Sequence, residues 1–538
     1  FEVEDKPKAS FKEEDTSIAI MVGSGARGTL SNVKWATGVI GIVVDATGHE
    51  IELPIKSSFK RGLSTLEAYV QTRSSRKGLI DTALKTADSG YLTRRLVDVS
   101  QDVFTIEDED GDDTGYKIYR RETEDTMVDF GARLYGRYLA ADIPGHAKAG
   151  DLVTQALADA VQADEKVQEA TIMSVVTAVA LRGIPRKSYG MDLATGQLVE
   201  NSQPVGVIAA QSVGEPGTQL TLSNFHAGGA AGNDITQGLP RVDELFEART
   251  PKGEAFLTEA AGVAQVWEEG NKYIVQITPT KGRVERLPLA GQIVRVATGT
   301  ELLAGDVMAS NDDESVPVIA PFDGVVEVAE GEIIITSSAE APVRYEIPGV
   351  RQLVVTDGDE VEAGDRLTNG SINLHDLMRL KGVEATQRYI INEVLRIYAA
   401  QGERVDAKHL EVIVRQMFSR VQIEEPGDGH FVTGDIVSKA SVVEENRRLT
   451  AEGKEPAQFT QLLLGITKVS IWSDSWLSAA SFQDTTRVLI NAAVTGRVDT
   501  LYGLKENVII GRKIPVGTGA RSDDELSEEV LIEEEFDV

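Results

Sequence analysis

The longest helical pattern of apolar and polar positions in the chain covers residues 63–99. It contains no proline, and Arg73, Arg76 and Lys77 recur at the three- and four-residue spacing that places side chains on one helix face. Two glycines lie inside the pattern, and each costs about 1 kcal/mol against alanine while it permits local bending. We therefore predict one long helix with a basic face.

A second pattern, over residues 203–249, predicts a helical hairpin. Its first helix extends to His226 and is interrupted at Pro216, and two glycines at 228–229 open a polar loop. Its second helix begins near Ile235. Two short helices joined by a glycine-rich tip can move as a unit.

Residues 257–372 are rich in valine, glycine and glutamate, and they contain an internal repeat. The order strand, turn, strand and Gly-Asp turn occurs at 296–307 and again at 355–367, which predicts a small β domain. The pattern is similar to barrel-sandwich-hybrid domains, some of which carry biotin or lipoate. No lysine lies between the two halves, so a carrier role is not expected.

The rest of the chain mixes helical and β patterns, so the predicted fold class is α+β. Several domains are expected, because single cores rarely grow beyond roughly 250 to 300 residues and the chain has 538. Helices are predicted at 152–180, 373–420 and 475–500, and a compact β and glycine-rich stretch at 507–519. The predicted segments are 1–62, connecting structure with short β-like runs; 63–99, the long helix; 100–202, an acidic loop, a β segment and a helix; 203–250, the hairpin; 251–372, the β domain; 373–470, a helical and β region; 471–520, a C-terminal helical and β module; and 521–538, an acidic tail.

The formal net charge of −31 argues against binding a polyanion through bulk charge. Acids are concentrated at 107–113 and 523–537, which is typical of solvated loops or partner-facing segments. Residues 70–95, by contrast, hold six basic residues and two acids. A nucleic-acid surface can therefore exist within this acidic chain.

The absence of cysteine excludes disulfides and thiolate metal sites, and it fits a reducing cytosol. No apolar run approaches the roughly 18 residues that span a bilayer, and no signal-peptide pattern is visible. The first residue is Phe1 rather than methionine. We therefore expect a segment of a longer protein that does not enter a membrane.

Four blocks of sequence carry specific motifs, and they are DTALKTADSGYLTRRLVDV at 81–99, GVIAAQSVGEPGTQLTLSNFHAGGAA at 206–231, WSDSWLSAASFQDTTRVLIN at 472–491 and GLKENVIIGRKIPVGTG at 503–519. In this order they resemble the C-terminal half of the β′ subunits of bacterial-type multisubunit RNA polymerases. The first block resembles the bridge helix, the second the trigger loop, and the last two the jaw, cleft and switch-region segments. Several long matches in one order are far more specific than a single short motif.

The resemblance implies DNA-templated RNA synthesis by nucleotidyl transfer from NTPs, with release of pyrophosphate. It implies as partners the β, α-dimer, ω and sigma subunits, template DNA and the RNA–DNA hybrid, in the cytoplasmic nucleoid. The family binds catalytic Mg²⁺ through a three-aspartate motif, NADFDGD, which these residues lack. An N-terminal β′ portion, on the same or a separate polypeptide, is therefore expected to supply the metal site.

The nucleic-acid contacts that the resemblance implies combine small side chains with cations. Small residues let a base pair lie close to a helix, and cations bind phosphates without reading sequence. The alternative for the helix is a solvated basic face, and for the switch-region pair a solvated surface. The candidate residues are Arg76, Lys85, Thr86, Ala87, Arg94 and Arg95 in the long helix, and Lys505 and Arg512 in the switch-region block.

The trigger-loop resemblance assigns Gln219 to ribose contacts, Leu222 to packing against the incoming base and His226 to the triphosphate. Proton donation by a histidine to a leaving group contributes typically about 10² to 10⁴ in rate. The alternative is that His226 is a structural histidine. Where the family usually has methionine and arginine, this chain has Leu222 and Ser223, so a phosphate-binding cation is lost.

A second departure concerns zinc. Relatives carry three ligands of a four-cysteine cluster in a pattern like CxxxxGVCxKCYG, and the matching stretch here is AVALRGIPRKSYG at 178–190. Ala178, Pro185 and Ser188 replace the thiolates, and the fourth ligand falls near Glu109. Zinc is therefore not expected in this segment, and local packing should replace it. The two departures also suggest an alternative function, an assembly or regulatory module that has lost activity.

Overall fold

A computed structural model describes the chain in several stretches, and the described residues form two compact units. The main unit comprises the described parts of Phe1–Ala248 and Gln387–Val538, and the inserted unit those of Arg249–Thr386. Helices and small sheets occur together, as the α+β prediction requires. The described residues are 16–24, 28, 30–45, 49–107, 115–223, 238–279, 284–288, 293–294, 296, 300–302, 306–310, 318–319, 324–329, 332–337, 342–400 and 403–519.

The described helices are α1 (Ser17–Gly23), α2 (Leu30–Thr37), α3 (Thr65–Ser100), α4 (Glu122–Thr126), α5 (Phe130–Leu134), α6 (Gln155–Ala163), α7 (Arg186–Tyr189), α8 (Val205–Ser223), α9 (Leu239–Phe246), α10 (Leu374–Ala400), α11 (Ala407–Met417), α12 (Lys439–Ala451), α13 (Ile466–Ile471), α14 (Trp476–Phe482), α15 (Thr485–Thr495) and α16 (Leu504–Ile510). None of these helices combines the length and the apolar character needed to cross a membrane.

The described strands are β1 (Thr105–Ile106), β2 (Tyr116–Tyr119), β3 (Glu169–Ile172), β4 (Ile184–Pro185), β5 (Gly262–Glu269), β6 (Lys272–Pro279), β7 (Val284–Pro288), β8 (Ile293–Val294), β9 (Glu301–Leu302), β10 (Val307–Ser310), β11 (Val318–Ile319), β12 (Gly324–Ala329), β13 (Glu332–Ser337), β14 (Val343–Pro348), β15 (Glu360–Val361), β16 (Arg420–Glu425), β17 (Ile436–Ser438) and β18 (Gln458–Gln461).

The long helix predicted over 63–99 is confirmed as α3, which has 36 residues and is therefore about 54 Å long. A capping box fixes its start. The Ser64 side chain accepts a hydrogen bond from the Glu67 backbone N–H, and the Glu67 carboxylate accepts one from the Ser64 backbone N–H at 2.9 Å. The bond from the Ser64 N–H, a further bond from the Ser64 hydroxyl to the same carboxylate at 2.8 Å and the Ser57 contacts lower the pKa of Glu67 to about 2.

The helix predicted over 152–180 is wrong beyond its first third. Helix α6 ends at Ala163, and the following residues form β3, which pairs with β2 in antiparallel register from Tyr116↔Ile172 to Tyr119↔Glu169. Ile172 is completely buried in the core formed there. Pairing with a strand some 50 residues away overrides the local alanine-rich pattern, because burial of β-branched side chains favours the sheet.

The inserted unit is rich in strands, as predicted. Two four-stranded sheets have the orders β14-β6-β5-β15 and β7-β13-β12-β9. The internal repeat is visible in them, because the aligned Glu-Leu and Glu-Val pairs form β9 and β15. The core of the first sheet includes Ala264, Val275 and Ile347, none of which is exposed.

Two other predictions of local structure fail in part. Residues 1–62 contain α1 and α2 where connecting structure was expected, although bridges at Gly41↔Ile55 and Val44↔Glu50 confirm the β-like runs. The stretch 507–519 begins inside α16 instead of forming β structure. The Glu506 carboxylate accepts a hydrogen bond from the Gly503 N–H at 2.5 Å, which satisfies a donor at the start of α16.

Helices are confirmed within 373–420 and 475–500 as α10, α11, α14 and α15. The hairpin tip at 228–229, its second start near Ile235 and the acidic tail lie outside the described residues. The second hairpin helix is described from Leu239, with Pro240 in its first turn.

Candidate functional site

Helices α3 and α8 pack directly against each other, and glycines of α8 make the close approach possible. A Cβ on Gly214 would lie 2.7 Å from the Thr93 Cγ2 atom, and one on Gly217 would lie 3.0 Å from the Ser89 Oγ atom. At the other end of the contact, a Cβ on Gly206 would collide with the Ser100 carbonyl. These three positions, which we call the glycine seam, hold the first hairpin helix close to the long helix.

Hydrogen bonds fix the ends of this seam. The Ser100 hydroxyl donates to the Gly206 carbonyl at 2.9 Å, in a fully buried environment. The Tyr398 hydroxyl donates to the Val213 carbonyl at 2.7 Å, three residues before Pro216. Burial raises the pKa of Tyr398, so its hydroxyl remains a donor at neutral pH. The base of the hairpin is therefore anchored from two sides.

The second hairpin helix is bound to α3 by Arg95, whose guanidinium donates to the carboxylates of Asp243 and Glu247. The Arg95 guanidinium also lies 4.3 Å from the centre of the Tyr91 ring, and the residue is only 3% exposed. The Thr467 hydroxyl donates to the same Glu247 carboxylate. Arg95 was predicted to bind nucleic acid; in this structure its guanidinium is buried and paired within the chain.

The C-terminal end of α3 is joined to α16. The Lys505 ammonium donates to the Asp98 carboxylate at 2.5 Å, and the Gln101 side-chain oxygen accepts from the Lys505 backbone N–H at 2.8 Å. Lys505, predicted to contact DNA, is thus half-buried and paired within the chain. Arg512 is exposed just after α16.

One face of α3 remains exposed and carries the other predicted contacts. Arg76, Ala83, Ala87 and Arg94 are all exposed, and spacings of seven, four and seven residues place them on the same side of the helix. Arg94 keeps most of its side chain in solvent, although its guanidinium lies 3.7 Å from the Asp98 carboxylate. We call this set the small-and-basic face.

The remaining predicted site residues lie beside this face or have side chains that the structure does not describe. Thr86 is exposed beside the small-and-basic face. The backbone of Gln219 and Leu222 belongs to α8, but their side chains, the side chain of Lys85 and all of His226 lie outside the described residues. Their assigned roles therefore stay predictions.

Arg415 binds the stretch in which the resemblance implied zinc ligands. Its guanidinium donates to the Gly183 carbonyl at 2.8 Å and to the Ala180 carbonyl at 2.5 Å. Pro185 and Ser188, two of the residues in place of cysteine, are buried. Nowhere among the described residues do three or more His, Asp or Glu side chains converge as a metal site would require.

A buried ionic network lies beside this stretch, and the sequence reasoning missed it. Arg137 donates to the Glu411 carboxylate, Ser174 donates to the same carboxylate at 2.7 Å, and the Lys408 ammonium donates to the Met191 carbonyl at 2.7 Å. Burial lowers the pKa of Lys408 to about 8 and that of His409 to about 4. Lys408 and Glu411 lie on α11, a helix whose pattern gave no sign that its polar face would be covered, and Arg137 follows α5.

Comparison with known proteins places these motifs in a family. The family model of RNA polymerase Rpb1, domain 5, matches residues 62–471. The chain is 45% identical over 529 residues to the DNA-directed RNA polymerase subunit beta' of Roseiflexus castenholzii, covering 96% of this chain and 35% of that protein. It is 44% identical over 508 residues to the subunit of the same name from Natranaerobius thermophilus, covering 93% of this chain and 37% of that protein. The chain thus spans about a third of the length of the curated relatives it matches, and the resemblance drawn from its motifs is confirmed.

Proposed function

The chain belongs to the family of RNA polymerase Rpb1, domain 5, and on that basis we propose that it works as the C-terminal part of a β′ subunit in DNA-directed RNA synthesis. The reaction is nucleotidyl transfer from NTPs with release of pyrophosphate. The relatives' name, DNA-directed RNA polymerase subunit beta', supports this assignment. The segment contributes a bridge helix, α3, and a trigger loop, residues 203–250.

The packing of α8 on α3 carries the proposal. The glycine seam and Arg95 hold both hairpin helices against the same long helix, and we assign to the part between them the folding and unfolding that closes the site. Exposed Arg76 and Arg94 then bind phosphates, while Ala87 and Thr86 leave room for a base pair. In the closed hairpin, Gln219, Leu222 and His226 contact the ribose, base and triphosphate of the NTP and align it for attack.

The residues present do not fit the catalytic metal. The NADFDGD motif is missing from the sequence, and the described residues hold no cluster of metal ligands. We therefore assign Mg²⁺ binding to an N-terminal β′ portion, with β, the α dimer, ω and sigma as further partners in the nucleoid. Zinc is not assigned to this segment.

The test uses the assembled polymerase that contains this chain. His226→Ala should lower the rate constant of single-nucleotide addition at saturating NTP by about 10²-fold or more. The matched control is His430→Ala, since His430 is exposed and far along the sequence from the hairpin. An unchanged rate in the His226 variant would remove the trigger-loop assignment.

A substitution at Ser223 distinguishes an active enzyme from a module that has lost activity. A hydrogen bond to a charged group contributes roughly 1.5 to 3 kcal/mol, so Ser223→Arg should tighten closure on the NTP and raise the elongation rate of an active enzyme. If neither the parent complex nor this variant extends RNA on a template, the inactive module is favoured.

A further inference from the structure

An open groove of about 730 Å³ lies in the main unit beside β17, α13 and α15. Four guanidinium groups line it, and they belong to Arg182, Arg420, Arg487 and Arg497. Apolar side chains lie between them and include Ile436, Ile471, Trp472, Val488 and Val498. Trp472 and Val498 are 45% and 86% exposed, so the groove offers cations and uncovered apolar surface together.

The most buried cation of the groove, Arg420, already has a carboxylate partner. Arg420 is only 6% exposed, and its Nη1 donates to the Asp474 carboxylate at 2.5 Å. Its Nε atom is buried and has no hydrogen-bond partner among the described residues. The more exposed arginines are therefore the ones that a docked carboxylate can reach.

Two of the other arginines, Arg487 and Arg182, pair with acidic side chains at the surface. Arg487 pairs with Asp484 at 3.0 Å and Arg182 with Glu444 at 3.3 Å, and these four side chains are between 41% and 66% exposed. Exposed pairs contribute little to stability. They can therefore be exchanged for another carboxylate at small cost.

We propose that the acidic C-terminal residues 523–537 of this same chain dock in the groove. These residues include nine acids and no base, and Leu526, Val530, Leu531, Ile532 and Phe536 lie among them. The segment therefore alternates the two properties that the groove complements, negative charge and apolar side chains. Docking covers an apolar surface that would otherwise remain in solvent.

The connection is long enough for this docking. The Gly517 N–H donates to the Ser202 carbonyl, and the Ser202 N–H donates to the Thr105 carbonyl. Phe104, next to Thr105, contacts the Tyr502 ring, which lies 5.9 Å from the Arg182 guanidinium at the groove. Four successive contacts thus connect Gly517 to the groove. The 19 residues 520–538 can span about 60 Å when extended, so the tail is long enough to reach it.

Nucleic acid fits the groove less well than an acidic peptide. The aliphatic side chains between the cations, among them Ile436, Val488 and Val498, favour a partner with aliphatic side chains, which the acidic tail carries. Nucleic acid is therefore one outcome of the test rather than the occupant argued here.

Site-specific photo-crosslinking in the assembled complex tests the proposal. With a benzoylphenylalanine probe in place of Phe536, irradiation should link the tail to groove residues such as Trp472 or Val488, identified by mass spectrometry. Arg487→Glu with Arg497→Glu should lower the crosslink yield by at least about threefold, since exposed charge pairs are individually weak. Arg447→Glu, an exposed position that does not line the groove, should leave the yield unchanged.

A charge swap completes the test. Glu533→Arg with Glu534→Arg should lower the yield in the parent chain and restore it in the Arg487→Glu, Arg497→Glu background. Crosslinks that form only to another subunit, to nucleic acid or to a second copy of the chain would overturn the proposal. So would a swap that restores nothing.

Discussion

The guanidinium of Arg95 donates to the carboxylate of Glu247, and this bond joins the long helix α3 to the end of the second hairpin helix α9. Both groups are largely buried, with side chains 4% and 7% exposed. Its neighbour Arg94 has a side chain that is 59% exposed. Adjacent arginines in one helix therefore do different work, one in the base of the hairpin and one on the small-and-basic face.

Arg95→Met should destabilise the protein by about 3 to 5 kcal/mol, because it leaves two carboxylates near the interior without their cation. Arg94→Met should change stability by no more than about 0.5 kcal/mol and should instead weaken the salt dependence of DNA binding. Denaturant unfolding and DNA binding at several salt concentrations measure both. Equal stabilities for the two variants would contradict the assignment of Arg95.

The glycine seam predicts opposite results for the same substitution at different glycines. Gly214→Ala should cost about 1 to 3 kcal/mol, since its Cβ overlaps Thr93. Gly90→Ala is the matched control in α3, because a Cβ there meets nothing within 4 Å, and it should stabilise by up to about 1 kcal/mol. Thermal unfolding of the two variants gives the comparison, and a neutral Gly214→Ala would mean that the helices are not in close contact.

Asp102 predicts a pH-dependent stability difference. Burial raises the pKa of its carboxyl to about 6, with the Asp474 and Glu506 charges adding to the rise and Arg420 opposing it. Because the folded-state pKa lies above the ordinary value, the ionised carboxylate destabilises the fold, and this cost develops as pH rises from about 4 through about 6. Asp102→Asn removes the titration. It should therefore leave stability unchanged near pH 4 and raise it at pH 7 by at most about 3 kcal/mol.

Unfolding of the Asp102→Asn variant and the parent at pH 4 and pH 7 measures this difference. Gln416, which donates to the Asp102 carboxylate at 3.0 Å, can keep its hydrogen bond to the asparagine oxygen. A gain in stability that is the same at both pH values would point to packing rather than to ionisation.

Arg415 should stabilise by hydrogen bonding the stretch in which the resemblance implied zinc ligands. Arg415→Lys loses the two-pronged contact with the Ala180 and Gly183 carbonyls and should destabilise the protein by about 1.5 to 3 kcal/mol. Arg182→Lys, an exposed arginine in the same stretch, should change stability by no more than about 0.5 kcal/mol. A chelator should leave the melting temperature of the isolated chain's fold unchanged, and a marked drop would reveal a metal in this stretch.

The sequence was most informative where a local pattern and its burial agree. The long helix was predicted within two residues at each end, because its cap and its freedom from proline are local properties. The burial of Arg95 could not be predicted from local sequence. Its spacing is that of a solvated cation, and its partner Asp243 lies 148 residues further along the chain.

The same limit explains the failed local predictions. Residues 169–172 leave the helical pattern because they pair with β2, and α16 continues to Ile510 although a compact β and glycine-rich stretch was predicted from Asn507. For the candidate site, the sequence identified the helices that meet. Of its predicted nucleic-acid contacts in α3, Arg76, Thr86, Ala87 and Arg94 are exposed, and their binding of nucleic acid stays a prediction. The sequence could not identify Tyr398 or Arg415, because the carbonyl groups they bind are invisible to a pattern of side chains.

The nesting of the inserted unit also has a consequence for synthesis on the ribosome. Arg137 is almost completely buried and binds Glu411, which follows it by 274 residues. At a synthesis rate of roughly 5 to 20 residues per second, a time on the order of 14 to 55 seconds passes between translation of Arg137 and translation of its partner Glu411. The main unit can therefore not complete its interior co-translationally until the whole inserted unit has left the exit tunnel, so the inserted unit has the opportunity to fold first.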